Sequence, residues 1–238
     1  MVWYSKKNTK GIQGHMTIYK VSDIYSTIQG EGCQTGTPMV LLRLQGCGVG
    51  CPWCDTRHTW SIDKSNQVDT IDLAQGDTPR WTEMSSSQIA YYIAQNFPTF
   101  RWVLVTGGEP AEQDLEGLVN ALHDTGRRVA LETSGTEIGL LNARFDWVCV
   151  SPKIKMPGGK AVLPGILELA DEIKHVVGKP QDVGDLVALL DRCALRPDVQ
   201  ICLQPVSMSP KATALCVAEV QKRNWRLSIQ THKITGVR

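Results

Sequence analysis

Three thiols crowd into the stretch Gly46-Cys47-Gly48-Val49-Gly50-Cys51-Pro52-Trp53-Cys54-Asp55-Thr56, in a C-x3-C-x2-C frame just after the apolar run 39–44. Cysteines this close together can grip a metal centre, and an iron–sulfur cluster takes one thiolate per iron. A four-iron cluster held by only three of them keeps one iron free to bind a reactant, which suggests chemistry rather than a structural staple. A zinc knuckle fits the same frame if Cys33 or His58 supplies a fourth ligand and closes a tetrahedron. The loop by itself leaves both readings open.

The elements that must position this loop alternate along the chain. Short apolar runs predict strands at 39–45, 102–106, 128–132, 146–150, 172–177, 199–204 and 226–230. Amphipathic stretches lie between several of them. Ile89, Ile93 and Phe97 recur every four residues behind serines that can cap a helix. Leu115, Leu118, Val119 and Leu122 form one apolar helical face, and Val183, Leu186, Val187 and Leu190 form another. Ala212, Leu215 and Cys216 begin a fourth, led in by Ser209-Pro210, a helix-start pair. Repeated βα units predict a mostly parallel α/β sheet. Residues 55–84 are polar without a period and read as an insertion. Residues 151–165 hold three prolines and three glycines, which argues against a helix there. The expected fold is therefore an incomplete, open TIM-like barrel of about six parallel strands with some helices missing.

In such folds the functional residues gather at the C-terminal ends of the strands. The polar punctuation follows that rule. Strand ends carry Gly46 and the cysteine loop, Thr106-Gly107-Gly108-Glu109-Pro110, Glu132-Thr133-Ser134-Gly135, Ser151-Pro152-Lys153, Gln204-Pro205-Val206-Ser207 and Gln230-Thr231-His232-Lys233. That convergence points to one active site.

Composition narrows the surroundings. With 238 residues, 42% of them hydrophobic, the chain can bury a sizeable core. A formal net charge of +1 with interspersed signs argues against a nucleic-acid partner, and no run approaches the length of a membrane span. Met1 to Lys10 is polar with no apolar segment behind it, so no secretory signal is expected. Residues 1–15 read as an N-terminal extension ahead of a domain spanning 16–238. Four of the eight cysteines lie within 33–54 while Cys149, Cys193, Cys202 and Cys216 are scattered in apolar runs. That is no disulfide framework; it predicts reduced thiols and a cytoplasmic protein. Cys33 reads as a small packing residue.

The cysteine frame followed by Gly107-Gly108-Glu109-Pro110 resembles the hallmark pair of radical S-adenosylmethionine enzymes. More narrowly, Gln29-Gly30-Glu31-Gly32, Arg43-Leu44-Gln45-Gly46-Cys47, Cys54-Asp55-Thr56 and Gln230-Thr231-His232-Lys233 are similar, in order, to the 7-carboxy-7-deazaguanine synthase family. The likeness runs from about Tyr19 to the C-terminus. It implies that Cys47, Cys51 and Cys54 ligate a [4Fe–4S] cluster. It further implies that Trp53, Asp55, Gly108, Ser151, Pro152, Lys153, Gln204, Pro205, Val206 and Ser207 line S-adenosylmethionine. Ile28, Gln29 and Gly30 would border the substrate, with Glu31 in contact with it as the catalytic candidate. Arg43 would pair with the substrate carboxylate, for which a planar bidentate cation is suited. An arginine in an apolar strand is also costly to bury unpaired. Thr106, His232 and Arg238 would be further substrate contacts, and the Thr56 hydroxyl would ligate Mg²⁺.

The implied activity is a lyase-type, Mg²⁺-dependent ring contraction of 6-carboxy-5,6,7,8-tetrahydropterin to 7-carboxy-7-deazaguanine, with loss of ammonia, in queuosine biosynthesis. S-adenosylmethionine would act as a catalytic cofactor, an external donor such as flavodoxin would supply the electron, and the protein would be a homodimer. Two rival functions share the cysteine frame. One is an activase for a glycyl-radical enzyme; the other is a zinc or iron–sulfur binding module without catalysis.

Overall fold

The computed structural model describes residues 17–237; residues 1–16, with the expected N-terminal extension, and Arg238 lie outside the described residues. Strands β1 (Ile18–Ile28), β2 (Pro38–Leu44), β3 (Thr82–Ser85), β4 (Trp102–Gly107), β5 (Arg128–Thr133), β6 (Trp147–Val150), β7 (Glu172–Val177), β8 (Gln200–Pro205) and β9 (Arg226–Leu227) form one sheet. Their order is β3-β1-β2-β4-β5-β6-β7-β8-β9, with β3 and β9 as unjoined edges. The barrel is thus open. From β2 through β4 to β9 every neighbouring pair is parallel, while β1 is antiparallel to both β2 and β3. All seven expected strands are present. The last shrinks to two residues because Ser228 and Gln230 bend inward to hydrogen-bond Gln204 and Glu31.

Two strands were not expected. β1 is eleven residues long but reads IYKVSDIYSTI, a mix of polar and apolar residues. Its polar positions Ser22 and Asp23 are nonetheless buried. β3 is the end of the polar stretch 55–84, and that stretch also holds the one-turn helix α1 (Ile71–Ala74), which packs on β1.

The remaining helices are α2 (Ser86–Asn96), α3 (Glu116–His123), α4 (Pro164–Leu167), α5 (Pro180–Leu190), α6 (Pro210–Arg223) and α7 (Thr231–Thr235). A capping box opens α2: the Ser85 hydroxyl accepts from the Gln88 N–H, and the Gln88 side chain accepts from the Ser85 N–H. Proline at the first turn starts α5 and α6. Between β5 and β6 there is no helix, and between β6 and β7 only the single turn α4, so the Pro- and Gly-rich stretch interrupts the alternation as expected. Among the described residues no helix is long and apolar enough to cross a membrane.

The period of two along each strand divides the sheet. Val40, Leu42 and Leu44 of β2 face outward into the main core, with Val103, Val105, Leu118, Leu122, Ile89 and Ile93. Met39 faces inward into a small plug with Leu104, Ala130 and the flanking Leu41, Trp102 and Trp147. Arg43 follows on that inner face, in register with Thr106. The barrel interior is therefore apolar near the strand starts and polar near the strand ends.

Candidate active site

The strand ends enclose a cleft of about 490 Å³. Of the residues expected at the site, Ile28, Gln29, Gly30, Glu31, Arg43, Cys47, Cys51, Trp53, Cys54, Asp55, Thr56, Thr106, Gly108, Ser151, Lys153, Gln204, Pro205, Val206, Ser207 and His232 all line it. Pro152 does not line it; its ring is buried between two lining neighbours. Arg238 lies outside the described residues.

The cysteine loop is held by its backbone and by its neighbours. The Gly46 and Cys47 N–H groups donate to the carbonyls of Thr59 and Trp60, and the Gln45 amide donates to the carbonyls of His58 and Ser61. The start of the polar stretch is thus a clasp on the loop, not a free insertion. On the other side Glu112 accepts from the Gly48 N–H at 2.8 Å and is itself bound by Lys160. Gly108 lies so close to the Gly46 carbonyl that a Cβ there would overlap it, which is why the second glycine of the strand end can be nothing larger.

All three loop thiols are free. Burial pushes the Cys47 thiol up to about 11 and raises that of Cys51 as well. A thiolate here needs a cation to sustain it. The three sulfurs are not all within 4.8 Å of one another, and Cys33 sits elsewhere, against Cys202. Cys33 is therefore not placed to supply the fourth ligand that would close a tetrahedral zinc site at the loop. The Trp60 indole N–H donates to Cys54 Sγ at 3.3 Å, supplying the kind of hydrogen bond that tunes a cluster.

Glu109 shapes the adjacent strand end. It is fully buried, and burial raises its pKa even though Thr133 Oγ1 at 2.7 Å, Ser134 N at 2.6 Å and Ala111 N at 3.0 Å all donate to it. It ties the ends of β4 and β5 together beneath the cleft. At the end of β8, Ser207 takes a left-handed backbone, φ +50°, the kind of strained conformation that clusters at ligand sites.

The cleft also holds a charged network in which sequence reasoning expected Glu31 and Gln29, marked Glu132 and Gln230 only as strand-end residues, and missed Lys174. Lys174, on β7, is buried and binds Glu31 Oε2 at 2.7 Å and Glu132 Oε1 at 3.0 Å. Gln29 donates to the same Glu132 oxygen at 3.0 Å, and Gln230 donates to Glu31 Oε1 at 2.7 Å. Burial alone would raise the Glu31 pKa, but Lys174, Gln230 and Gln204 outweigh it and hold the carboxyl well below its usual range. Burial would likewise lower that of Lys174, but Glu132 and Glu31 raise it instead. One sign was legible: a lysine inside the apolar run Ile173-Lys174-His175-Val176-Val177 needs a partner for the same reason as Arg43 does.

The C-terminal segment closes this side. Thr231 N and Oγ1 both donate to the Gly30 carbonyl, and the His232 ring packs where a Gly30 side chain would stand. Gly30 thus admits the histidine to the cleft. Arg43, on β2, donates to the Tyr25 hydroxyl at 3.4 Å.

This arrangement can seat a cluster and a nucleoside-type cofactor at the loop, and an anionic heterocycle between Arg43 and the Glu31–Lys174 network. No protein-family model matches the chain. It is 41% identical over 221 residues to 7-carboxy-7-deazaguanine synthase of Escherichia coli (strain K12), covering 92% of this chain and 99% of that protein. The enzyme of the same name from Bacteroides thetaiotaomicron is 34% identical over 220 residues, covering 92% and 98%. The crystal structure of QueE from Escherichia coli superposes with a TM-score of 0.84 at 41% identity, covering 92% of this chain and 96% of that one.

Proposed function

The chain belongs to the 7-carboxy-7-deazaguanine synthase family of radical S-adenosylmethionine enzymes, and from that membership we propose how its cleft divides the work of the reaction. The activity is the ring contraction of 6-carboxy-5,6,7,8-tetrahydropterin to 7-carboxy-7-deazaguanine, with loss of ammonia, in queuosine biosynthesis. The relatives set aside the activase and the non-catalytic module.

Cys47, Cys51 and Cys54 hold the [4Fe–4S] cluster, and Trp53, Asp55, Gly108, Ser151, Lys153 and Gln204–Ser207 hold S-adenosylmethionine. Pro152 serves only through its backbone. Bound together, the two groups supply a 5′-deoxyadenosyl radical for hydrogen abstraction from the pterin. The chain's residues do the positioning. Arg43 pairs with the substrate carboxylate, and Thr106 beside it in the register fixes the same end. Glu31, held ionised by Lys174, accepts hydrogen bonds from the pterin's N–H groups. Ile28, Gln29 and Gly30 border the ring, and His232 and Arg238 are further substrate contacts. The Thr56 hydroxyl, 3.6 Å from Cys54 Sγ, holds Mg²⁺ together with substrate oxygens and water, as suits a hard cation. An external one-electron donor such as flavodoxin, a homodimeric assembly and a cytoplasmic location complete the proposal.

The observation that carries this reading is the convergence on one cleft of three free thiols, Arg43 and the Glu31–Lys174–Glu132 network. Its test is anaerobic turnover. Reconstituted protein with S-adenosylmethionine, Mg²⁺, a reductant and the carboxylated tetrahydropterin yields 7-carboxy-7-deazaguanine by mass spectrometry. A cluster-loaded protein that cleaves S-adenosylmethionine but leaves the pterin unchanged would overturn it.

A further inference from the structure

At the opposite end of the barrel from the cysteine loop, outside the cleft, three metal-ligating side chains meet. Cys33 lies on the turn between β1 and β2, Glu172 at the start of β7 and Cys202 on β8. One ligand atom from each lies within 4.8 Å of the others. The two sulfurs are 3.7 Å apart, and both are free thiols. Two thiolates on one tetrahedral zinc, each at about 2.3 Å, stand roughly 3.7 Å apart, whereas a disulfide draws them to about 2.0 Å.

A second observation points the same way. Glu172 is only 2% exposed. Its Oε2 accepts from the Cys33 N–H at 3.1 Å and the Trp147 indole at 3.3 Å. Its Oε1 has no hydrogen-bond partner. A buried carboxylate oxygen left unpaired is costly, and a bound cation removes that cost. Packing of two small apolar thiols accounts for Cys33 and Cys202 but not for a carboxylate beside them.

We propose that Cys33, Cys202 and Glu172 form a binding site for a thiophilic divalent cation of the zinc class, with a water in the fourth position. The half-buried Cys33 is the side from which the ion enters.

The ion has a structural consequence for the cleft. It ties the Gly32–Gln34 turn, directly after Glu31, to the strands that carry Lys174 and Gln204. Gly32 permits this closeness: its φ is +63°, and a Cβ would overlap the Glu172 carboxylate. The site acts as a clip under the substrate-facing turn.

The test uses full-length protein with its cluster reconstituted, so that Cys47, Cys51 and Cys54 are occupied, loaded with Zn²⁺ and desalted. Elemental analysis should find about one zinc per chain. Zinc-edge X-ray absorption should show two sulfurs at about 2.3 Å with oxygen completing the shell. The zinc should persist in a Cys47→Ala/Cys51→Ala/Cys54→Ala variant, which separates it from the cluster site. Cys33→Ala and Glu172→Gln should each weaken zinc binding at least tenfold. Cys33→Ala alters a half-buried turn, and cluster content and circular dichroism report whether its fold is kept. The proposal is overturned if the wild-type protein retains no zinc while both thiols remain open to alkylation. It is equally overturned if anaerobically purified protein carries a Cys33–Cys202 disulfide, or if a folded Cys33→Ala keeps the same zinc and sulfur count.

Discussion

Replacing Lys174 by methionine removes the cation from between two carboxylates and keeps an unbranched side chain of similar length. The Lys174 side chain is 4% exposed, against 17% for Glu31 and 25% for Glu132. Removing one partner of a buried pair costs about 3–5 kcal/mol because the remaining charge is left uncompensated. Both carboxylates keep some solvent, so the lower end, about 3 kcal/mol, applies. For a domain of this size each kcal/mol moves Tm by about 2–4 °C, so Lys174→Met should melt about 6–12 °C below wild type. Adding Glu31→Gln removes one of the two orphaned charges. The double variant should therefore be more stable than the sum of the singles by about 1–3 kcal/mol.

The pH dependence carries the sign. In the wild type Lys174, Gln230 and Gln204 outweigh burial and hold the Glu31 carboxyl at about 2, below the ordinary carboxylate range. Its stabilisation is then present above about pH 4.5 and lost as pH falls through the depressed value. In Lys174→Met burial remains but the cation is gone, so the Glu31 carboxyl rises above its ordinary range. The folded variant then binds more protons than the unfolded chain, and its stability falls as pH rises. The gap between variant and wild type should be widest at neutral pH and shrink toward about pH 4.5. Anaerobic thermal unfolding followed by circular dichroism measures both. A Tm within 2 °C of wild type, or a gap that stays constant on acidification, would refute the reasoning.

Arg43→Met should cut kcat/KM about 10- to 150-fold, the loss of about 1.5–3 kcal/mol for a charge-assisted pair, and Arg43→Lys should recover only part of it; steady-state kinetics with the carboxylated pterin decides. Trp60→Phe removes the indole N–H that donates to Cys54 Sγ and should lower the cluster's reduction potential, read by an EPR redox titration. Thr56→Ala should raise the Mg²⁺ concentration needed for half-maximal turnover while S-adenosylmethionine binding, measured by calorimetry, stays unchanged. Gly30→Ala places a methyl group in the His232 ring; KM for the pterin should rise, and the double variant Gly30→Ala/His232→Ala should relieve the overlap without restoring full activity.

The parallel part of the sheet was legible because its strands are buried on both faces and read as short apolar runs. β1 was not, since its inner positions Ser22 and Asp23 are polar and its pairing with β2 and β3 is a tertiary fact. The site residues at strand ends were legible through polar punctuation and motif order. Lys174 was not, although it broke an apolar strand as visibly as Arg43 did, and Glu132 and Gln230 were marked at strand ends without a role. Their partners in this network come from 42 to 199 positions away in sequence, a spacing no local pattern reports. Cys33 read as packing for the same reason: its neighbours Glu172 and Cys202 meet it only in the folded chain.

By itself the sequence determined the chemistry available: three thiols in a fixed frame, the glycines that let backbone approach them, and the polar strand ends. Residue type and short-range spacing are enough for that, because ligand identity and backbone freedom are local properties. The tertiary structure alone decided where charge would be buried and with what. It set the polar stretch as a clasp on the cysteine loop, the C-terminal helix against Gly30, and one lysine between two carboxylates. Burial and long-range pairing depend on the register of distant strands, so only the folded sheet could supply them.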